Sequence, residues 1–205
     1  MILADNISFD HKTTFNQGKF PMCQTYAFLA LLIEHIQQIH DIDISFDFKK
    51  TYDKMITLYS STKGRKSFVG TLARIARIDG IETLDGKYLV KIDECSRLSK
   101  DPRQIRKFLQ MYGTLLWWVR MYKNYSLSKS GTGDFLYSFP KKPIRGSYTH
   151  LMTLDGYKST PKKKGFKFYN SWGEKASPKY IQIEDFKKLT IKAYAIKGVS
   201  LTKLK

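Results

Sequence analysis

An unbroken apolar run that follows a cysteine constrains the fold of this chain more than any other feature. Residues 26–33, YAFLALLI, would be apolar on every side of a helix, and the sequence becomes polar only toward His40. A surface helix keeps one polar face, whereas a helix that is apolar all round must be buried. The pattern predicts a helix over residues 23–40 whose first half lies in the middle of the protein. Cys23 stands at its start.

The rest of the chain divides into a helical and a strand-rich half. Apolar residues three and four positions apart predict a helix over 68–79, and Asp101-Pro102 predicts the start of another that ends at Gly113. Segments rich in β-branched and aromatic residues follow, separated by Gly, Ser, Pro and Lys clusters. The predicted strands are 114–122, 148–157, 165–172, 179–183 and 191–199. An α+β chain of two lobes is expected, with about 12–100 mainly helical and about 101–205 mainly antiparallel strands.

The positive charge lies almost entirely in the second half. The net charge is +18, and residues 1–100 hold 14 Lys and Arg against 12 Asp and Glu, while residues 101–205 hold 22 against 6. The excess is either a solvated basic face or a surface for a polyanion such as nucleic acid. Zinc-finger spacing, a helix-turn-helix signature and ribonucleoprotein aromatic motifs are absent from the sequence. Any polyanion contact through residues 101–205, including Lys162, Lys163 and Lys164, would therefore be independent of nucleotide sequence.

The two cysteines, Cys23 and Cys95, cannot form a disulfide framework. The longest apolar run is far shorter than the ~20 residues that cross a bilayer, and the opening residues lack the pattern of a signal peptide. We therefore expect no membrane span, no cofactor and no metal. The expected location is the cytoplasm or another reducing compartment, with association with a virion as an alternative.

Cys23 has two features that suit a nucleophile. A helix N-terminus stabilises negative charge, and the thiolate is the reactive form of cysteine. Gln17 lies six residues earlier beside a glycine, where its amide can donate a hydrogen bond to an oxyanion. The alternative is that Cys23 is a small core residue, as free cysteines usually are.

A thiolate nucleophile needs a histidine, and the sequence has four. His35 and His40 lie more than two turns beyond Cys23 on the predicted helix, and His11 has no supporting pattern. His150 lies in the apolar segment THLMTL, where a lone imidazole is most often a core residue. A hairpin between the segments of His150 and Asn170 would let the Asn side chain orient the imidazole.

Three segments resemble the active-site motifs of papain-like cysteine peptidases. NQGKFPMCQTYAF is similar to the segment around the family's cysteine, YTHLMTLDGY to the segment of its histidine, and FKFYNSWGE to the segment of its asparagine. The cysteine lies 127 residues before His150 and 147 before Asn170, close to the family's spacing. The linking regions also resemble the family, so the likeness covers nearly the whole chain.

The resemblance implies a two-lobe fold with a helical lobe, an antiparallel β-barrel-like lobe and an active-site cleft between them. It implies a thiol peptidase, an endopeptidase that hydrolyses proteins or peptides through an acyl-enzyme. The implied roles are nucleophile for Cys23, acid/base for His150, imidazole orienter for Asn170, oxyanion donors for the Gln17 side chain and the Cys23 amide, and shielding of the catalytic pair for Trp172.

The chain departs from the family around the cleft. Pro21 stands where a disulfide-forming cysteine is usual, and Gln24 stands where an aromatic residue usually follows the nucleophile. A pro-segment is not expected, so control by location, partner or assembly is implied. Bulkier residues replace glycines along the cleft. The residues that the resemblance places there are Lys66, Ser67, Phe68 and Thr149.

Two alternatives stay open at the level of sequence. The chain can be a non-catalytic papain-like module that docks through its basic half in a larger assembly, such as a viral one. It can also be a transpeptidase that uses the same triad but passes the acyl group to an amine.

Overall fold

A computed structural model describes residues 4–9, 22–61, 67–121, 148–161, 164–169 and 179–205. These residues form five helices and eight strands. The helices are α1 (Cys23–His40), α2 (Phe48–Ser61), α3 (Phe68–Ile78), α4 (Pro102–Tyr112) and α5 (Ile183–Leu189). The strands are β1 (Asn6–Ser8), β2 (Ile81–Glu82), β3 (Tyr88–Leu98), β4 (Leu115–Met121), β5 (Tyr148–Ser159), β6 (Lys164–Tyr169), β7 (Lys179–Gln182) and β8 (Thr190–Lys203). The predicted α+β fold class is confirmed.

The chain forms two compact units. The helical unit comprises Lys19–Ser96 and Ile196–Lys205, and the strand unit comprises Met1–Gly18 and Arg97–Ala195. The last strand, β8, contributes residues to both units. That the two units act as one catalytic domain stays a prediction.

Helix α1 is the buried centre of the helical unit. Every residue from Ala27 to Ile36 is buried, including the polar pair Glu34 and His35, as the apolar run predicts. The helix ends at His40, because Asp41 adopts a left-handed conformation with φ 53° and its amide bonds back to the Gln37 carbonyl. Helices α2 and α3 both contact α1.

Local signals explain the ends of α3. The Ser67 hydroxyl accepts a 3.1 Å hydrogen bond from the Gly70 amide and caps the first turn. At the other end Gly80 has φ 81°, and a Cβ there would lie 2.7 Å from the Leu89 side chain. Glycine is therefore needed at the position where the sequence predicts the helix to stop.

The expectation of a mainly helical first half did not include β2 and β3. Strand β3 pairs with β2 through Val90 opposite Ile81, and it also carries several charged and exposed residues. A half-exposed strand with few apolar residues gives only a weak alternating pattern in the sequence.

The strand unit is an antiparallel sheet in which β4, β5, β6 and β7 are successive neighbours. Strand β1 pairs with β5, and the first part of β8 pairs with β4. The core centres on Trp117, whose indole N–H donates a 2.8 Å hydrogen bond to the Thr190 hydroxyl. Its ring lies 5.4 Å from that of Phe168 and 5.5 Å from that of Phe186.

Helices α4 and α5 cover this core. As predicted, Asp101 caps α4 by accepting a 3.1 Å hydrogen bond from the Arg103 amide, and Gly113 ends the helix with φ 74°. The segment 183–189 was not predicted to be helical, since seven residues are too few for a clear helical pattern. Only Phe186 and Leu189 of α5 are buried.

Two cations from different elements hold β1 in the strand unit. The Arg106 guanidinium lies 4.5 Å above the Tyr157 ring and donates a 2.8 Å hydrogen bond to the Ala4 carbonyl. Lys167 is only 4% exposed, and its Nζ donates 2.9 Å hydrogen bonds to the Ser8 hydroxyl and to a neighbouring carbonyl. These contacts fix the strand that leads into the segment preceding Cys23.

None of the helices among the described residues is long and apolar enough to cross a membrane.

Candidate active site

Cys23 is the first residue of α1, as the sequence predicts. The preceding residue, Met22, has a buried side chain that makes no capping hydrogen bond, and the first turn contains no acidic residue. The amides of a helix start have no partners within the helix, and they carry partial positive charge. The Cys23 side chain is partly exposed, so the position suits a thiolate that must meet a substrate.

Cys95 lies in a different environment on β3. Burial is the main cause that raises the pKa of the Cys95 thiol, to about 11, and the neighbouring Glu94 charge adds to it. Cys95 is therefore protonated at neutral pH, and the contrast favours Cys23 as the reactive thiol.

His150 lies near the start of β5, directly opposite Val119 on β4. Its side chain is 4% exposed, whereas the preceding Thr149 is exposed. Among the described residues, a second histidine of comparable burial, His35, lies twelve residues beyond Cys23 on α1, about 18 Å along the helix axis. That distance excludes His35 as a partner of the thiol, as expected from the sequence.

The predicted hairpin between the His150 and Asn170 segments is present. Strands β5 and β6 pair antiparallel, and β6 ends with Tyr169 opposite Thr153, three residues beyond His150 on β5. The next residue along the chain is Asn170. Asn170 itself lies outside the described residues. So do three other predicted site residues, Gln17, Lys66 and Trp172.

Two of the predicted cleft residues have structural tasks in the helical unit. Ser67 is the cap of α3, and the ring of Phe68 lies 4.2 Å from that of Tyr59 on α2. Both side chains therefore stabilise the start of α3, and these contacts do not involve a substrate. Thr149, on β5 of the strand unit, is exposed and lies opposite Arg120.

Sequence patterns did not indicate one further contact in the strand unit. Trp118 and Lys192 lie opposite each other on β4 and β8, and the Lys192 ammonium lies 5.2 Å from the centroid of the indole. Sequence motifs do not predict this contact, because the contact depends on pairing between strands about seventy residues apart in sequence. Within the described part of the chain, no cluster of three or more metal-ligating side chains occurs.

No protein-family model matches the sequence, and no curated protein is similar to it in sequence. Solved structures do match. Xylellain, a cysteine protease from Xylella fastidiosa, has a TM-score of 0.71 at 14% identity, over 97% of this chain and 88% of that one. Procathepsin L 3 from Tenebrio molitor larval midgut has a TM-score of 0.71 at 11% identity, and the match covers 97% of this chain and 71% of that one. The ragweed pollen cysteine protease Amb a 11, in its proform, has a TM-score of 0.69 at 15% identity, and the match covers 96% of this chain and 66% of that one. The fold is that of the papain-like cysteine proteases.

The papain-like fold confirms the resemblance that the sequence motifs carry. At identities of 11–15% the likeness of these structures concerns the fold, and it does not assign a role to any residue. The roles of single residues in this papain-like chain therefore rest on the motifs and on local environment.

Proposed function

We propose that this chain is a cysteine-type peptidase, an endopeptidase that cleaves peptide bonds with Cys23 as nucleophile, His150 as acid/base and Asn170 as the orienter of His150. The observation that carries the proposal is the position of Cys23 at the first residue of the buried helix α1, in a chain with a papain-like fold. The protonated state of Cys95 at neutral pH supports the choice of thiol.

The proposed reaction has two halves. The Cys23 thiolate attacks the peptide carbonyl carbon, and the oxyanion that forms accepts hydrogen bonds from the Gln17 side chain and the Cys23 amide. The protonated His150 imidazole then gives its proton to the leaving amine as the carbon–nitrogen bond breaks, which leaves a thioester. Water attacks the thioester while His150 accepts its proton, and the acid product leaves with the thiol restored.

Asn170 and Trp172 have supporting roles in this proposal. An Asn carbonyl that accepts from one ring nitrogen of His150 holds the other nitrogen available to the thiol. An indole next to this pair keeps water away and strengthens the hydrogen bond between them.

An epoxysuccinyl probe tests the proposal, because it alkylates the thiolate of papain-like peptidases only when the catalytic site is assembled. We expect one label per chain on Cys23, identified by peptide mass spectrometry, and none after Cys23→Ala. Cys95→Ala is the matched control and should label normally. A folded chain in which Cys23 stays unlabelled would instead be a non-catalytic papain-like module.

The acceptor of the acyl group needs a separate measurement. If the chain is a hydrolase, the free acid should remain the main product in a mass spectrum when an amine nucleophile is added. A dominant amide product would identify the chain as a transpeptidase with the same triad.

A further inference from the structure

The helical unit contains a cavity of about 510 Å³ between α2, the end of α3 and the turn that joins β2 to β3. Volumes of this order are typical of sites that bind small molecules. Every residue that lines the cavity lies between positions 47 and 89, so the cavity belongs to the helical unit alone. The lining includes none of the residues to which the sequence motifs or the proposed reaction assign a role.

Part of the cavity wall is apolar. Ile75 and Ile81 both line the cavity, and they are 1% and 5% exposed. Leu84, in the turn after β2, also lines it, yet this residue is 63% exposed. Covering a large apolar side chain that is in contact with water is favourable. The cavity therefore favours a ligand that has an apolar part.

Two walls of the cavity carry opposite charges. Lys50 and Lys54 lie one turn apart on α2, and Glu82 and Asp79 lie across the cavity from them. The Lys54 ammonium is 3.0 Å from the Asp79 carboxylate, and the Lys50 ammonium is 3.8 Å from the Glu82 carboxylate. The second distance is longer than a hydrogen bond, so Lys50 and Glu82 can still form hydrogen bonds with a ligand.

The ion pair between Lys50 and Glu82 is also easy to replace. The side chains are 75% and 50% exposed. Ion pairs as exposed as this one contribute little to the stability of a fold, so a ligand that separates the two groups loses little.

The other two carboxylates of the cavity already bond to the backbone. Asp47 accepts a 2.8 Å hydrogen bond from the Lys50 amide at the start of α2. Asp85 accepts a 2.6 Å hydrogen bond from the Thr83 hydroxyl and a 3.1 Å hydrogen bond from the Lys87 amide. These bonds shape the turns around the cavity. The charges that remain for a ligand are therefore of both signs and lie close together.

We infer that this cavity binds an α-amino acid with a large apolar side chain. The carboxylate and the ammonium group of a free amino acid are adjacent, as are the charges of Lys50 and Glu82, so the ligand carboxylate can pair with Lys50 while its ammonium group pairs with Glu82. Every charge then keeps an opposite partner, whereas a ligand with one charge leaves Lys50 or Glu82 without one. The apolar side chain of the ligand covers Leu84. The inference does not rest on the proposed function, because Cys23 and His150 do not line the cavity.

L-phenylalanine tests the inference on the full chain. Backbone amide shifts in ¹H–¹⁵N spectra report the titration slightly below neutral pH, and we expect changes concentrated at residues 79–86 with a single-site binding curve. N-acetylphenylalanine lacks the ammonium charge and phenylalanine amide lacks the carboxylate charge. Each should bind about three- to fivefold more weakly than phenylalanine. Alanine has both charges without the large side chain, and it should also bind more weakly.

Variants of the cavity locate the binding. Lys50→Gln and Glu82→Gln should each weaken phenylalanine binding about three- to fivefold, and Leu84→Ala should weaken it through loss of apolar contact. Lys49→Gln and Asp53→Asn are the matched controls. Lys49 and Asp53 form an exposed ion pair of 2.6 Å on the same helix, and neither lines the cavity. Both controls should bind phenylalanine as the unaltered chain does.

The possible outcomes are distinct. If the amides of residues 79–86 do not shift with millimolar phenylalanine, the inference is wrong. Phenylalanine amide that binds as tightly as phenylalanine would identify a cation site, equal binding of the N-acetyl form would identify an anion site, and either result overturns the inference. Equal weakening in the control variants also contradicts it, since the effect would then come from the net charge. Epoxysuccinyl labelling of Cys23 is unaffected by these results, so the proposed function is tested separately.

Discussion

The side-chain nitrogen of Lys167 on β6 lies 2.9 Å from the hydroxyl oxygen of Ser8 on β1, in a site where the lysine is 4% exposed. The same nitrogen donates to the Phe9 carbonyl at 2.9 Å. A buried lysine is normally costly, so these contacts must offset the loss of water around the ammonium. The backbone next to it is tight, because a Cβ on Gly156 would lie 2.3 Å from the Ile7 carbonyl oxygen.

We expect Lys167→Met to lower the free energy of unfolding by about 1–3 kcal/mol, since the Ser8 hydroxyl and the Phe9 carbonyl lose a buried partner. Urea denaturation followed by circular dichroism measures this change. Lys164→Met is the control, because Lys164 is exposed at the start of the same strand and should shift the midpoint little. Equal shifts in the two variants would show that the hydrogen bonds of Lys167 add no stability.

The reactive thiol is expected to be Cys23. With a pKa of about 11, Cys95 is a thiolate in only about one molecule in 10⁴ at pH 7. Limiting iodoacetamide at pH 7 should therefore modify Cys23 first, and Cys95 should react faster as the pH rises toward 11. Peptide mass spectrometry of the alkylated chain distinguishes the two sites. Preferential modification of Cys95 at pH 7 contradicts the assignment.

His150→Ala should impair catalysis more than Asn170→Ala. Loss of His150 removes the proton acceptor and the partner of the thiolate, while loss of Asn170 only loosens the orientation of the ring. Values of kcat/KM for one neutral peptide give the comparison, with circular dichroism to verify folding. If both variants are folded and equally inactive, Asn170 does more than orient His150.

The strand-rich half should bind polyanions at low salt. We expect micromolar, sequence-independent binding of DNA or heparin at about 50 mM salt, with a steep decrease as salt rises through counterion release. Alanine at Lys162, Lys163 and Lys164 should weaken binding and flatten the salt dependence without changing cleavage of a neutral peptide. Of these three, only Lys164 is among the described residues, and it is exposed. A fluorescence titration without binding at that salt would identify the charge as a solvated face.

The helices with explicit start and stop signals could be predicted from the sequence. Asp101-Pro102 and Gly113 bound α4 to within a residue, and Gly80 does the same for the end of α3. The signals are local, because a cap or a left-handed glycine acts within one turn. Strand β3 was not predicted, because its charged residues interrupt the alternation of apolar and polar side chains by which a strand is recognised in a sequence.

The candidate site was predictable to the extent that it depends on motifs. Cys23 at a helix start and the pairing of the His150 and Asn170 segments follow from nearby residues. The contact between Lys192 and Trp118 does not, because it depends on which residues of β8 pair with β4, and the register of that pairing shifts between Trp118 and Val119. Such an irregularity changes which side chains share a face, and the sequence of either strand alone does not specify it.

Whether the Cys23 thiol cleaves peptide bonds is decided by a peptide-library cleavage profile of the unaltered chain beside Cys23→Ala. We expect internal cleavage by the unaltered chain, products that end in free carboxylates, and none of these products from the variant, with equal circular dichroism spectra. Cleavage that persists in Cys23→Ala, or a folded unaltered chain that cleaves no member of the library, would contradict it.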